Sequence, residues 1–249
     1  MLLRPVLLLA LATGCGGSDP PSKSPDSLGD LGDKSRPELE TSCEHGEGRA
    51  CFELARRYRE GIDVGKSDET AYGWLKLSCD LDVKLGCNQA GWAALHGRGT
   101  ARQPELAGRY FARACPSGEE EAIACDSRAF ALLTGLGHTR VDVREAARIY
   151  ERVCRAGVPH GCLALTILEK QGLDAGHARA IETEVIACSL DAEKLERACT
   201  VEPDPQYCLL SAMMFRTGTC TSQQEGRARQ LFERARPFQV AWPNVAESR

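Results

Sequence analysis

The chain has 249 residues, of which 43% are apolar and only 6% aromatic, and its formal net charge is −4. The low aromatic content favours a helical protein over a β-sandwich, and the absence of a basic excess argues against a nucleic-acid partner. Thirteen cysteines occur without any Cys-x-x-Cys pair. We therefore expect no metal site, no redox motif and no cofactor.

Residues 1–14 predict an export signal, because Arg4 precedes a short apolar run over residues 6–12 that cannot span a bilayer. The run ends at Ala12-Thr13-Gly14-Cys15. This ending resembles a bacterial lipoprotein box, although Ala12 stands where leucine is usual. The resemblance implies that Cys15 carries a lipid anchor in the cell envelope, and Gly16 after it favours the outer membrane, on its periplasmic or surface face. An ordinary secretion signal is the alternative.

Residues 15–42 are rich in Gly, Ser, Pro and Asp and contain few apolar side chains. Such a composition cannot bury a core, so it predicts a lipidated, disordered tether. The folded domain is expected over residues 43–236, followed by a C-terminal tail at 237–249.

After Cys15 is set aside, twelve cysteines remain, and an exported chain makes disulfides the expected state. Ten of them form neighbouring pairs at similar spacing: Cys43 and Cys51, Cys79 and Cys87, Cys115 and Cys125, Cys154 and Cys162, Cys199 and Cys208. Cys188 and Cys220 are left and are paired with each other. Buried free thiols are the alternative.

Five cysteines are each followed ten residues later by a glycine, namely Gly61, Gly97, Gly135, Gly172 and Gly218. The stretch between predicts a helix that ends at the glycine, where a positive φ is cheap. Small residues recur four places after these cysteines: Ala55, Gly91, Ala129, Thr166 and Ala212. A second helix follows, with an alanine and, three residues later, a larger apolar residue on one face. These pairs are Ala71 and Trp74, Ala107 and Tyr110, Ala146 and Ile149, Ala228 and Leu231.

Helix pairs that recur every 36–39 residues are typical of an α-solenoid, in which each pair buries its apolar face against the next. The repeated positions, such as Ala55, Tyr58, Gly61 and Ala71 in the first unit, resemble Sel1-like repeats, relatives of the tetratricopeptide repeat. The paired cysteines resemble the cysteine-rich, secreted branch of that family. The resemblance implies an all-α, right-handed solenoid of about five disulfide-stapled helix-turn-helix units. The fourth unit departs from the pattern through an extra stretch that reaches Cys199, and the fifth lacks a closing cysteine.

Other motifs give little support for chemistry. The Gly61–Ser67 stretch is similar to a phosphate loop, but it has three residues between its glycines instead of four and joins two helices. The five histidines (45, 96, 138, 160 and 177) show no metal-ligand spacing, and we expect surface turn positions for them.

Some cysteine-rich members of the resembled family have been assigned β-lactamase or penicillin-binding activity. No serine here is followed three residues later by lysine, and neither Lys-Thr-Gly nor Ser-Asp-Asn occurs. We therefore do not expect an enzyme, and keep a β-lactamase-like hydrolase as an alternative on resemblance alone.

The favoured function is an envelope lipoprotein whose solenoid binds a still unidentified protein or peptide; a purely structural envelope component is a further alternative. Trp74, Tyr110 and Phe111 could line a concave binding face, although the repeat position of Trp74 and Tyr110 favours the core. Trp92 is off this register and is the better candidate for an exposed contact.

Overall fold

The computed structural model describes residues 31–116, 121–172, 187–201 and 204–241. These residues form eleven α-helices and no strand. The helices are α1 (Arg36–Glu44), α2 (Gly48–Glu60), α3 (Asp68–Asp80), α4 (Lys84–His96), α5 (Pro104–Ala114), α6 (Ala122–Thr134), α7 (Val143–Arg155), α8 (Pro159–Lys170), α9 (Ala192–Val201), α10 (Pro205–Thr217) and α11 (Glu225–Ala235). Two short 3-10 turns, Leu136–His138 and Arg236–Phe238, follow α6 and α11.

Consecutive helices pack as pairs, and the pairs stack into the predicted all-α solenoid. Unit one is α2 with α3, unit two is α4 with α5, and unit three is α6 with α7. Unit four begins with α8 and ends with α9, and unit five is α10 with α11. Helix α1 packs against α2 and precedes the first unit.

The predicted glycines end the first helix of most units. Gly61, Gly97, Gly135 and Gly218 follow α2, α4, α6 and α10 directly, with φ between 67° and 76°. Other residues would lose about 1–2 kcal/mol in this left-handed conformation. In unit four, Gly172 has a φ of 89° and lies one residue further on.

The small residues of the first helices allow close packing, as at Gly91. A Cβ atom added there would lie 2.5 Å from the Phe111 ring, so this ring of α5 rests directly on the α4 backbone. Ala55, Ala129 and Ala212 at the equivalent positions are at most 2% exposed. The small residues therefore lie where the two helices of a unit, or two neighbouring units, pack closely together.

The twelve described cysteines form six disulfides, with the pairing expected from their spacing. Five bonds join the end of one helix to the first turns of the next: Cys43–Cys51, Cys79–Cys87, Cys115–Cys125, Cys154–Cys162 and Cys199–Cys208. The sixth bond, Cys188–Cys220, joins cysteines that are 32 residues apart in sequence, and the loop that it closes contains α9 and α10. In the chain-entropy account each bond stabilises the fold by about 2–4 kcal/mol.

The expectation of a disordered tether through residue 42 is wrong for residues 31–42. Leu39 lies on α1 and is fully buried, and Leu31 is 6% exposed in the same apolar cluster with Cys43, Cys51 and Leu54. Two leucines suffice because they cover an existing apolar face of α2 and need not build a core of their own. The ordered structure therefore begins before the first paired cysteine.

Candidate protein-binding surface

The inner face of the solenoid is defined here as the side of α4 and α6 that meets unit five. On it, Trp92 stacks on His96 with 5.7 Å between ring centroids and on Phe130 with 6.3 Å. Trp92 Nε1 donates a hydrogen bond to Ser127 Oγ at 2.9 Å. The expectation of an exposed contact at Trp92 is wrong, because the indole is half-buried between units two and three.

His96 corrects the expectation of a surface turn position. Its side chain is only 9% exposed, and Nε2 lies 3.1 Å from Asp204 Oδ2 at the start of α10. The ring also meets the Phe238 ring edge-on, with 5.7 Å between centroids. His96 therefore joins unit two to unit five. His138, at the equivalent turn of unit three, is 82% exposed, as expected.

Asp126 is a second polar link between distant units. It is 6% exposed, and its Oδ2 accepts a hydrogen bond from Gln206 Nε2 at 2.7 Å. Burial raises the pKa of the Asp126 carboxyl, and the Gln206 hydrogen bond and the charge of His160 oppose that rise. Its Oδ1 has no hydrogen-bond partner among the described residues. The carboxyl is thus held in the interface at an electrostatic cost.

The segment after α11 completes the contact between unit five and the inner face. Phe238 is 2% exposed, and its ring lies under the Arg102 guanidinium with Cζ 4.6 Å from the centroid. The Ala241 amide donates to the Thr134 carbonyl at 2.7 Å. Residues 237–241 are therefore part of the fold, and the expectation of a tail starting at residue 237 is wrong for them.

These contacts cover part of the inner face. Side chains of α4 and α6 that would line a concave binding surface are covered by Asp204, Gln206 and Phe238 of the same chain. Tyr110 and Phe111 are buried, which supports their interpretation as core, and Trp74 is half-buried. This part of the inner face is therefore filled by the chain itself.

Unit one carries a different arrangement, a buried ion pair on α2. Arg57 and Glu53 are 3% and 1% exposed, and Arg57 Nε donates to Glu53 Oε1 at 3.1 Å. The Arg57 guanidinium also donates to the carbonyls of Gly32 and Lys34 at 2.9 and 2.7 Å. The ion pair thus holds the segment before α1 against the first unit.

The remaining predicted site residues divide into described and undescribed ones. Cys15 and His177 lie outside the described residues. The Gly61–Ser67 stretch is a helix connector that ends with Ser67 capping α3. The hydroxyls of Ser78 and Ser211 donate hydrogen bonds to backbone carbonyls. The described residues contain no group of His, Cys, Asp and Glu suited to a metal ion. No helix in the described part is long and apolar enough to cross a bilayer.

The family model for the Sel1 repeat matches residues 48–83, 84–118, 122–158 and 205–236, together more than half of the chain. The chain belongs to the Sel1 repeat family. The four matches are units one, two, three and five, so the unit that departs in sequence is also the one that the Sel1 model leaves out. No curated protein matches the chain.

Several solved structures resemble this Sel1 protein, among them the following two. One is a Sel1 repeat protein from Oxalobacter formigenes, with 25% identity and a TM-score of 0.47, covering 52% of this chain and 96% of the other. The second is c5321, described as a protective antigen present in uropathogenic Escherichia coli strains and displaying an SLR fold. It is 21% identical with a TM-score of 0.50, and the match covers 80% of this chain but only 40% of c5321. The second likeness concerns the fold alone.

Sequence reasoning missed the residues that close the inner face. A signal existed at the chain end: Phe238-Gln239-Val240 repeats the junction Leu81-Asp82-Val83 that precedes α4, with a positive φ at Gln239 and at Asp82. This likeness shows that the fifth unit ends as the others do. The likeness alone does not show that the junction packs on unit two.

Proposed function

We propose that this Sel1 protein is a lipid-anchored scaffold of the cell envelope that binds another protein. The observation that carries the proposal is a solenoid of family repeats stapled at its helix junctions by disulfides, which fixes the shape of its surface. Sel1 repeats are protein-interaction scaffolds, and solenoids in general present extended binding surfaces.

Two independent features support the proposed location. Six disulfides are typical of an oxidising, extracytoplasmic compartment. The sequence of residues 1–15 adds the export and lipidation pattern, so we assign the anchor to Cys15 and the tether to residues 16–30. Stable anchoring by lipid needs more than one acyl chain, which a lipoprotein cysteine provides.

The anchor is tested by Cys15→Ser. The variant is expected to leave the membrane fraction, because it lacks the cysteine that we propose is acylated. The measurement is the distribution of the protein between membrane and soluble fractions. A Cys15→Ser chain that stays with the membranes would contradict the lipid anchor.

The binding role is tested by crosslinking from envelope extract with the oxidised Cys15→Ser chain. The matched control is the same chain after reduction and alkylation, which removes the six staples and leaves the charge pattern unchanged. A reproducible partner that needs the oxidised form supports a scaffold with a fixed surface. If the folded, oxidised chain captures no partner, the proposal of a protein-binding function is wrong and a structural role replaces it.

A further inference from the structure

The outer face of unit three carries a row of arginines, called here the arginine ridge: Arg140, Arg144, Arg148, Arg152 and Arg155. The last four lie on α7, and at about 100° per residue their side chains project within a sector of about 80°. The buried residues Ala146, Ile149 and Val153 lie on the opposite side of the helix. The ridge therefore points away from the core: Arg140, Arg144, Arg148 and Arg155 are exposed, and Arg152 is half-buried.

Much of the charge on the ridge is not neutralised within the protein. Arg140, Arg144 and Arg152 have no ion-pair partner among the described residues. Arg148 pairs with Glu145 at 2.9 Å, and Arg155 pairs with Glu151; both arginines are at least 70% exposed. Such exposed pairs within one helix contribute little and exchange easily for another carboxylate.

The repeat itself does not require this charge. The four ridge positions on α7 correspond in unit one to Glu69, Gly73, Leu77 and Asp80, and in unit five to Gly226, Gln230, Arg234 and Pro237. Only unit three has arginine at all four. In unit two the equivalent of Arg152 is Arg113. Its guanidinium forms an ion pair with Asp80 at 3.1 Å and donates a hydrogen bond to the Cys79 carbonyl at 2.9 Å.

Pro116 stands where unit one has Asp80, so the acid that Arg113 contacts has no equivalent for Arg152 at that position. The same contact that fixes Arg113 to the preceding unit is therefore lost in unit three. Arg152 lies one helical turn from Arg148 on α7, on a protein whose net charge is −4. A structural function explains Arg113, but it does not explain the ridge.

We propose that the arginine ridge is the docking surface for an acidic segment of the protein partner. This inference rests on the proposed scaffold function and names the chemistry of its partner. Arginine presents a planar fork that binds a carboxylate through two parallel hydrogen bonds, which lysine cannot do. The chain contains no lysine between Lys84 and Lys170, so every basic side chain on the outer face of unit three, other than histidine, is an arginine.

The spacing of the ridge defines the partner further. Arginines four residues apart on a helix lie about 6 Å from each other. A partner helix with Glu or Asp at every fourth residue has the same spacing, so three or more guanidinium groups could each bind a carboxylate at the same time. An acidic helix is therefore the occupant that best matches the ridge.

The test uses the oxidised chain and a fluorescent helical peptide with glutamate at every fourth residue. The ridge variant is Arg144→Gln with Arg148→Gln and Arg152→Gln. The matched control, Arg229→Gln with Arg234→Gln and Arg236→Gln, removes the same charge from exposed positions of unit five. We expect the ridge variant to bind about tenfold more weakly at low salt, while the control changes less than about twofold. Added salt should weaken wild-type binding, because exposed charges are screened.

Equal losses in the two variants would overturn the proposal, since only net charge would then matter. Binding to vesicles of phosphatidylglycerol and phosphatidylethanolamine, with none to the peptide, would overturn it in favour of a lipid surface. Circular dichroism and the denaturation midpoint check that both variants fold. If the envelope partner is captured equally by ridge and control variants, the ridge proposal is wrong and the scaffold function stands. If the peptide distinguishes the variants and no envelope partner exists, the scaffold function is wrong and the ridge remains an anion-binding surface.

Discussion

The two ends of the solenoid are closed in different ways. At the N-terminal end, α1 and the segment before it cover unit one locally, held by the Cys43–Cys51 bond and the buried Glu53–Arg57 pair. At the C-terminal end no extra helix covers unit five in the described part. Unit five instead packs on units two and three. The start of α10 contacts His96 and Asp126, and the segment after α11 contacts Thr134.

The difference shows that contacts close in sequence cap one end of the solenoid, whereas contacts distant in sequence cap the other. A terminal repeat has an apolar face with no neighbour and needs a cap. The N-terminal cap is made from residues close in sequence, so its contacts can form early and independently. The C-terminal cap uses residues that are more than a hundred positions apart, such as His96 and Asp204. It requires the intervening units to be folded already.

The largest effect is expected from Arg57→Leu at the N-terminal end. The change leaves Arg56 as the remaining partner of the Glu53 carboxylate and two carbonyls without a donor, and should cost about 4 kcal/mol in the free energy of unfolding. Urea denaturation measures the cost, and hydrogen exchange should show lost protection at residues 31–44. Arg59→Leu, on the surface of the same helix, is the control and should cost less than about 1 kcal/mol. Equal costs would mean that the buried ion pair does not fasten this end.

Phe238→Ala should break the C-terminal closure. It removes a ring that is 2% exposed and packs against His96 and Arg102, and the expected cost is about 3 kcal/mol, as for other buried phenylalanines that are truncated to alanine. Faster exchange of the Ala241 amide would report the opening. An unchanged exchange rate there would show that the segment is held by α11 alone.

Two substitutions at Asp204 separate its contributions to the same closure. Its Oδ1 accepts from the Gln206 and Tyr207 amides at the start of α10, and its Oδ2 faces His96. Asp204→Ala should cost about 1–2 kcal/mol, because both the helix cap and the His96 contact are lost. Asp204→Asn retains a good cap and should cost less than half of that. Similar denaturation midpoints for the two variants would mean that the cap is irrelevant and only the charge matters.

Asp126→Asn should have the smallest effect at acid pH and a stabilising one at neutral pH. Because burial raises the pKa of Asp126, the folded chain holds this proton more tightly than the unfolded chain. Its contribution therefore favours folding at low pH and is lost as the pH rises from the unfolded value of about 3.9 through the raised folded pKa. Urea midpoints measured from acid to neutral pH should diverge, with the Asn variant more stable at neutral pH. A constant difference would contradict the assignment of this titration to Asp126.

Local features were predictable because they repeat. The glycines that end helices, the small residue at Gly91 and the cysteine spacing recur in several units, and each has a local physical cause. The folded boundary near residue 31 was not predictable from composition, because Leu31 and Leu39 bury themselves on a surface that belongs to α2.

The closure between unit five and unit two lay beyond sequence reasoning for a different reason. It depends on the summed curvature of the stack, to which every junction contributes a small rotation. His96 and Asp204 bear no mark in sequence that distinguishes them from surface residues, and Trp92 lies off the repeat register that identifies core positions. The arginine ridge did have a visible pattern, but its meaning depended on knowing which acids lie near it in the fold.

The closure also limits how this protein can evolve. An open solenoid tolerates the gain or loss of a repeat, since each unit touches only its neighbours. Here Asp204 and Phe238 must meet His96 across the units between them, so an inserted or deleted unit would carry them past their partners. The number of repeats is therefore fixed by geometry, and new functions are expected to arise by substitution on the outer faces and not by lengthening of the array.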